Sequence, residues 1–289
     1  MRKTFYFLTA CALVLTIVSC GHKADVNTKK ISRVIYTDEA KAIVDSAFYT
    51  FVWDNDQIAS YTYSNPYGND LDYNAKTTYQ DGRVSVIDDD QFHVEITYID
   101  GRMAQVTQSS HDGVRLHQLV FNYTGDDCAE VTLNSMSKEA IQWIEAIVYD
   151  KRDTMGNEVR HPMPQDTALH PSSVSQYRWK DGNLVSVSSE YIDGGFSVST
   201  TFEYDQTTNP FYQHCVGFNR LDVVNVAVPF GDNYLGLSKN NITKIKAVVT
   251  TAEAEAATVV RQFAYTYEDG HPVSTTEVSD KHIETFVYE

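Results

Sequence analysis

Aromatic side chains are the residues of this sequence best suited to contact a ligand. The 289-residue chain contains 19 Tyr, 13 Phe and 3 Trp. Candidate ligand-binding aromatics stand at equivalent positions of a repeated phrase: Trp53, Tyr79, Tyr98, Trp179 and Tyr267. Such rings can stack on sugars or on a partner chain. They can also form the core of a sheet, each covering its neighbour across a hairpin, and their recurrence in register with a turn favours that structural role.

Histidines give a weaker indication of a metal site. His111 and His117 lie six residues apart, and His93 precedes them. An even spacing on one extended strand would place both on one face, which is the minimum geometry for metal binding. The intervening Asp112-Gly113 predicts a turn that breaks this alternation, so solvent-facing histidines are favoured.

The acidic clusters do not predict a calcium site, and the known enzyme motifs are absent from the sequence. The runs 88–90 and 126–127 are Asp-rich but lack calcium-loop spacing and the six to eight oxygens that Ca²⁺ takes. The sequence has no Gly-x-Ser-x-Gly elbow, no His-Glu-x-x-His and no phosphate-binding Gly-rich loop. It therefore predicts no catalytic residue, no metal site and no cofactor. A glycosidase carboxylate pair leaves no local pattern, so a hydrolase with its site in loops 151–175 or 211–239 stays an alternative.

The repeated phrase predicts the elements that position these residues. Asp81-Gly82 and Asp100-Gly101 each stand between alternating apolar and polar residues, the pattern of a tight β-hairpin. The anchor aromatics of the phrase stand at positions 53, 79, 98, 123, 179, 204 and 267. Two-residue turns join only antiparallel neighbours. We therefore predict an all-β, mostly antiparallel meander in a curved sheet. The two long gaps between anchors, from 123 to 179 and from 204 to 267, leave room for an insertion or a skipped copy of the phrase.

Two stretches depart from the repeat. Residues 137–150 carry isoleucines at near-helical spacing behind Ser137, which predicts one short helix. Residues 151–175 contain three prolines and predict a long exposed loop. If the β-rich domain divides into two subdomains, the boundary is expected there.

The N-terminus predicts export and lipidation. Arg2 and Lys3 precede an apolar run over 5–18 that has the length of a signal-peptide core. The run ends in Ile-Val-Ser before Cys20, which resembles the lipobox of bacterial lipoproteins, whose cysteine carries acyl chains such as palmitate. We predict a signal peptide over 1–19, a lipid-anchored tether over 20–30 and a β-rich domain over 31–289. Acyl chains of this kind anchor a protein without a transmembrane helix.

The net charge argues against one class of partner, and the cysteine content leaves a disulfide open. The net charge of −16 repels phosphate backbones, so nucleic acid is not expected as a partner. Two cysteines, Cys128 and Cys215, fall in the predicted domain. They could pair in an oxidising compartment, or stay unpaired with at least one of them buried.

A family resemblance follows from these motifs taken together. The Tyr-Asp-Gly hairpins resemble YD or RHS repeats. With the lipobox, Asn209-Pro210-Phe211 and the Tyr-Leu-Gly-x-Ser-Lys-Asn-Asn stretch from Tyr234, the chain resembles Bacteroidetes cell-envelope lipoproteins of unknown function. The resemblance implies an outer-membrane lipoprotein. The expected function is a non-enzymatic binding or scaffold module for an envelope protein or glycan; a glycan-acting hydrolase and a lipid or lipoprotein handling factor are the alternatives.

Overall fold

Sixteen β-strands form one closed barrel. The computed structural model describes residues 29–38, 43–64, 72–137, 168–192, 194–216, 237–251, 256–278 and 282–289. Within them the strands follow one another in chain order, each antiparallel to the next, and β16 pairs back to β1. The strands are β1 (Ile31–Asp38), β2 (Ile43–Asp54), β3 (Gln57–Ser64), β4 (Tyr73–Gln80), β5 (Arg83–Asp88), β6 (Phe92–Ile99), β7 (Arg102–Ser110), β8 (Arg115–Tyr123), β9 (Cys128–Ser135), β10 (His170–Lys180), β11 (Asn183–Tyr191), β12 (Phe196–Thr208), β13 (Asn240–Thr251), β14 (Ala257–Glu268), β15 (His271–Glu277) and β16 (His282–Tyr288). None of the described segments contains a helix able to span a membrane.

The predicted all-β antiparallel class is confirmed, but the predicted curved sheet is wrong because the sheet closes. Val34 of β1 pairs with Phe286 of β16, so the first strand meets the last one. Nothing local in the sequence encodes that pairing. The predicted short helix falls on residues that, apart from Ser137, lie outside the described ranges, and the described ranges contain no helix. β10 starts at His170, so its first residues are strand rather than the exposed loop predicted through 175.

The Asp-Gly hairpins form as predicted. Asp81 and Gly82 have φ of +52° and +76°, so both central residues are in the left-handed region that a type I′ turn requires. Tyr79 pairs with Val84 just before this turn, and the register shifts by one residue between Thr78 and Tyr79. The same shift precedes the turns after β6, β10 and β14. Each such hairpin is therefore a tight turn with a β-bulge beside it.

One aromatic residue stands near the end of every even-numbered strand. This aromatic girdle consists of Trp53, Tyr79, Tyr98, Tyr123, Trp179, Tyr204, Tyr267 and Tyr288. Even-numbered strands all run the same way in an up-and-down barrel, so the girdle lies at one end, called here the hairpin end. Tyr123 and Trp179 end consecutive even strands, so the long gap between them is an insertion and not a skipped copy. Tyr288 was not predicted from the sequence, although Phe286 and Tyr288 have the same spacing as the aromatic pairs that end β2 and β8.

The two faces of the barrel differ in polarity. Side chains that point inward are buried and are of both kinds: apolar, as at Tyr61, Val94, Val131 and Val187, and polar, as at Ser175, Ser189, Thr200 and Glu277. Exposed charges stand at outward positions along the strands: Lys76, Glu95, Glu130, Glu190, Glu203 and Lys246. A transmembrane barrel has an apolar outer band and a polar lumen. These outward charges interrupt such a band, whereas the buried polar residues are compatible with such a lumen.

A candidate binding cleft at the hairpin end

The connection after β12 turns back into the barrel and closes part of the hairpin end. We call residues 209–216 the plug. Phe211 and Cys215 of the plug are buried, and the Phe211 ring lies 5.4 Å from that of Phe51. The Asn209 side chain holds the plug in place, since its Oδ1 accepts from the Phe211 N–H (2.9 Å) and its Nδ2 donates to the Ser238 carbonyl (3.1 Å). The plug is thus fixed to the core and to the start of β13.

The plug covers two girdle residues. The His214 ring stands edge-on to Trp53, with centroids 5.1 Å apart, and its Nδ1 lies 3.2 Å from the Tyr79 hydroxyl oxygen. Burial lowers the pKa of His214 to about 4, although Asp56 acts in the opposite direction. Trp53 also donates its indole N–H to the Ile31 carbonyl (2.7 Å). The histidine is therefore neutral at pH 7, and Trp53 and Tyr79 are held in structural contacts.

Beside the plug lies a cleft of about 300 Å³, which we call the hairpin-end cleft. Four half-buried aromatic residues line it: Tyr98, Tyr123, Trp179 and Tyr212. Its charged residues are Arg83, Arg102, Asp126 and Asp127, and Met103, Cys215 and Leu237 add apolar surface. Aromatic faces combined with a few polar groups are the usual composition of a small-ligand site.

A hydrogen bond and ring contacts hold the aromatic walls of the cleft in place. Tyr98 donates its hydroxyl to the Val84 carbonyl (2.9 Å). Val84 lies on β5, just after the turn of the preceding hairpin. Burial raises the pKa of this hydroxyl well above its ordinary value, so it remains a donor. Trp179 donates its backbone N–H to the Asp127 carbonyl (2.8 Å), and its ring lies 6.2 Å from that of Tyr123. The walls are therefore set before any ligand arrives.

Two arginines lie over two of these rings. The guanidinium carbon of Arg102 is 4.5 Å from the Tyr123 ring centroid, and that of Arg83 is 5.6 Å from the Tyr98 centroid. Both are cation–π distances. Arg102 also donates Nη1 to the Gly125 carbonyl (2.7 Å) and lies 3.5 Å from Asp126. The cleft therefore carries two arginines and two aspartates, and one arginine of the two is paired with an aspartate.

The cleft shows binding chemistry and no catalytic pair among its described residues. Asp126 and Asp127 are consecutive in one turn, and Asp126 is fully exposed, so they do not face each other across the cleft. Burial raises the pKa of the Cys215 thiol to about 12, which keeps it protonated and unreactive. Cys128 and Cys215 are both free, which is the unpaired alternative of the sequence analysis, with Cys215 the buried one.

The structure divides the five aromatic candidates into three groups. Tyr98 and Trp179 line the hairpin-end cleft. Trp53 and Tyr79 pack against the plug, and Tyr267 hydrogen bonds to Asp205 outside the cleft. A ligand role for any of them stays a prediction. Four residues of the cleft were not predicted as site residues from the sequence: Tyr123, Tyr212, Arg83 and Arg102. The two arginines had a usable signal, since Arg follows Asp-Gly only in the two sharpest copies of the phrase.

The histidines do not meet at one site. His117 is buried and its Nδ1 lies 3.0 Å from the Ser135 hydroxyl, so the prediction that it faces solvent is wrong. The turn at 112–113 comes before β8 begins, and the strand then places His117 on the inward face with Leu119. His93 and His111 instead flank Asp88, with ring nitrogens 3.0 and 3.9 Å from one carboxylate oxygen. No group of three or more ligating side chains able to hold a metal occurs in the part of the chain that the structure describes.

Comparisons with known proteins give structural matches only. No family model matches the sequence, and no curated protein matches it. A porin-like protein from Bacteroides uniformis matches with a TM-score of 0.49 and 12% identity, over 91% of this chain and 98% of its own. A porin-like protein from Bacteroides vulgatus matches with a TM-score of 0.43 and 11% identity, over 91% and 99%. Similarity at this level does not transfer a function, and neither the YD or RHS relationship nor lipidation is shown by it.

Proposed function

We propose that the protein is a lipid-anchored envelope protein that binds a glycan in the hairpin-end cleft, without catalysing a reaction on it. The observation that carries this proposal is the convergence of four half-buried aromatic side chains on one cleft of about 300 Å³. The flat C–H faces of sugar rings stack on aromatic faces, and sugar hydroxyls pair with charged side chains such as those at the rim. The cleft volume is at the lower end of the range for small-ligand sites, roughly 300–1,000 Å³.

The fixed geometry of the walls favours this role. The Tyr98 hydroxyl is held by its hydrogen bond to the Val84 carbonyl, and the Trp179 ring packs between those of Tyr123 and Tyr177. A ligand that enters therefore orders few side chains. Immobilising a flexible side chain on binding costs about 0.5–1.5 kcal/mol, and this cost is largely avoided here. No observation among the described residues favours the hydrolase or the lipid-handling alternative.

The first strand enters the barrel at the hairpin end, which supports an anchor on the same side as the cleft. The Lys30 carbonyl accepts from the Glu289 N–H (3.0 Å), and Lys29 pairs with Asp269 in the turn after β14 (3.1 Å). Both contacts lie at the hairpin end. An extended chain spans at most about 3.5 Å per residue, so a lipid on Cys20 would keep the hairpin end within roughly 30 Å of the membrane. We therefore propose that the bound glycan is one displayed close to the outer membrane.

A glycan array tests the proposal. The full-length protein in labelled nanodiscs is applied to neutral and acidic oligosaccharides, with empty nanodiscs as the background. We expect saturable binding to at least one glycan, weakened tenfold or more by Trp179→Ala because a stacking surface is lost. Tyr267→Phe is the matched control, since Tyr267 holds the same repeat position outside the cleft, and it should bind like the parent. Failure of the folded parent to bind any glycan would overturn the proposal.

A further inference from the structure

Arg83 differs from its repeat equivalent in having no anionic partner among the described residues. Arg102, at the same position after the next turn, donates to the Gly125 carbonyl and lies 3.5 Å from Asp126. The Arg83 guanidinium instead lies over the Tyr98 ring and makes no hydrogen bond or ion pair with another described residue. The chain has 39 acidic and 23 basic residues, so carboxylates are abundant. An arginine left without one is free to bind an external anion.

The position of Arg83 makes it accessible from two cavities. It lines the hairpin-end cleft and also a second cavity of about 370 Å³ between the β4–β5 and β6–β7 hairpins, which we call the side groove. Tyr98 and Gly101 line both cavities as well. A β-carbon added at Gly101 would lie 3.1 Å from Arg83 Nη2, so the guanidinium rests against the turn. The absence of a side chain at Gly101 therefore leaves room for it.

The surrounding charges select among anions. Asp81 lines the side groove, and Asp126 and Asp127 line the cleft. These carboxylates disfavour a densely sulfated or phosphorylated chain, whose charges would lie well within the screening length of about 8 Å at physiological salt. A single carboxylate on one sugar ring can reach Arg83 and leave the rest of the ligand neutral. Guanidinium matches a carboxylate with two parallel hydrogen bonds.

We propose that Arg83 binds the carboxylate of an acidic sugar, a uronic acid, whose ring stacks in the hairpin-end cleft. The inference rests on the proposed glycan-binding function and names the class of sugar. The Tyr98 face holds the guanidinium in place, and the side groove gives room for a further sugar of the same chain.

Two probes that differ at a single carboxylate test the inference. An oligosaccharide of one glucuronic acid and three neutral xylose residues, and its methyl ester, are titrated into the full-length protein in nanodiscs by calorimetry. The free acid should bind about tenfold more tightly, which corresponds to about 1.4 kcal/mol for one charged contact. Arg83→Gln should bring the ratio of the two affinities close to one. Arg115→Gln, an exposed arginine at the other end of the barrel, is the control for net charge and should leave the ratio unchanged.

A pair of glycine substitutions separates geometry from stability. Gly82 and Gly101 both have φ of +76°, but nothing lies within 4 Å of a β-carbon at Gly82. Both alanine variants should lose similar stability, whereas only Gly101→Ala should displace Arg83 and lower the affinity ratio.

The outcomes are distinguishable. Equal affinity for the acid and the ester in the parent, or a preference that survives Arg83→Gln, overturns the inference and leaves the glycan-binding proposal standing if Trp179→Ala still weakens binding. If the folded parent binds neither probe and no glycan on the array, the proposed function and this inference both fail.

Discussion

Acidification should destabilise the barrel through two buried histidines. Burial lowers the pKa of both His117 and His214 to about 4, from an ordinary value of 6.5. Between these values the unfolded chain takes up protons that the folded protein excludes, so stability is fully present above pH 6.5 and is lost as the pH falls towards 4. From pH 7 to pH 5 the loss is about 2 kcal/mol for each histidine. Together they amount to a large fraction of a typical folding free energy of about 5–15 kcal/mol.

Urea unfolding followed by tryptophan fluorescence measures this loss. The free energy of unfolding is determined at pH 7, 6 and 5, where most carboxylates are still ionised. His214→Gln removes one titrating group and should reduce the loss by about 2 kcal/mol. Gln213→Asn is the matched control, because Gln213 is exposed, lies next to His214 in the plug and carries no titrating group. Equal stability of the parent protein at pH 7 and pH 5, or a His214→Gln variant with the parent's pH dependence, would mean that these histidines do not control the loss.

Three further predictions concern the anchor, the girdle and the thiols. Cys20→Ser should move the protein from the membrane fraction to the soluble fraction; unchanged membrane association would remove the lipidation claim. Tyr98→Phe leaves the Val84 carbonyl without its donor and should lower the free energy of unfolding by about 1–2 kcal/mol, and a melting temperature equal to the parent's would argue against that bond. Cys128 should react with iodoacetamide before Cys215 does, because Cys215 is buried and its pKa is raised to about 12. Mass spectrometry follows the labelling of each cysteine. Faster labelling of Cys215 would mean that the plug opens readily.

The hairpins were predictable because their signals are local. Asp81-Gly82 and Asp100-Gly101 supply positive φ at adjacent residues, and the turn then fixes the pairing of the residues that flank it. The closure of the barrel was not predictable in this way. It depends on β1 meeting β16, and no turn or repeat in the sequence links residues so distant.

The cleft was only partly predictable. Tyr98 and Trp179 stood out by their repeat positions, but what separates them from Trp53 and Tyr79 is the plug, which covers the latter pair. Two plug residues, Gln213 and Cys215, adopt positive φ without being glycine. Such conformations are imposed by the surrounding structure and leave no signal in residue types. The inward direction of His117 likewise follows from where β8 begins, which the sequence pattern left undecided.

Fluorine NMR detects directly whether a sugar occupies the hairpin-end cleft. The protein is labelled with 5-fluorotryptophan, its resonances are assigned by substitution, and the oligosaccharide of one glucuronic acid and three xylose residues is added. The resonance of Trp179, in the cleft, should shift and saturate, while that of Trp53, beneath the plug, should stay in place. Saturable binding of the sugar without a shift at Trp179 would mean that the sugar binds elsewhere.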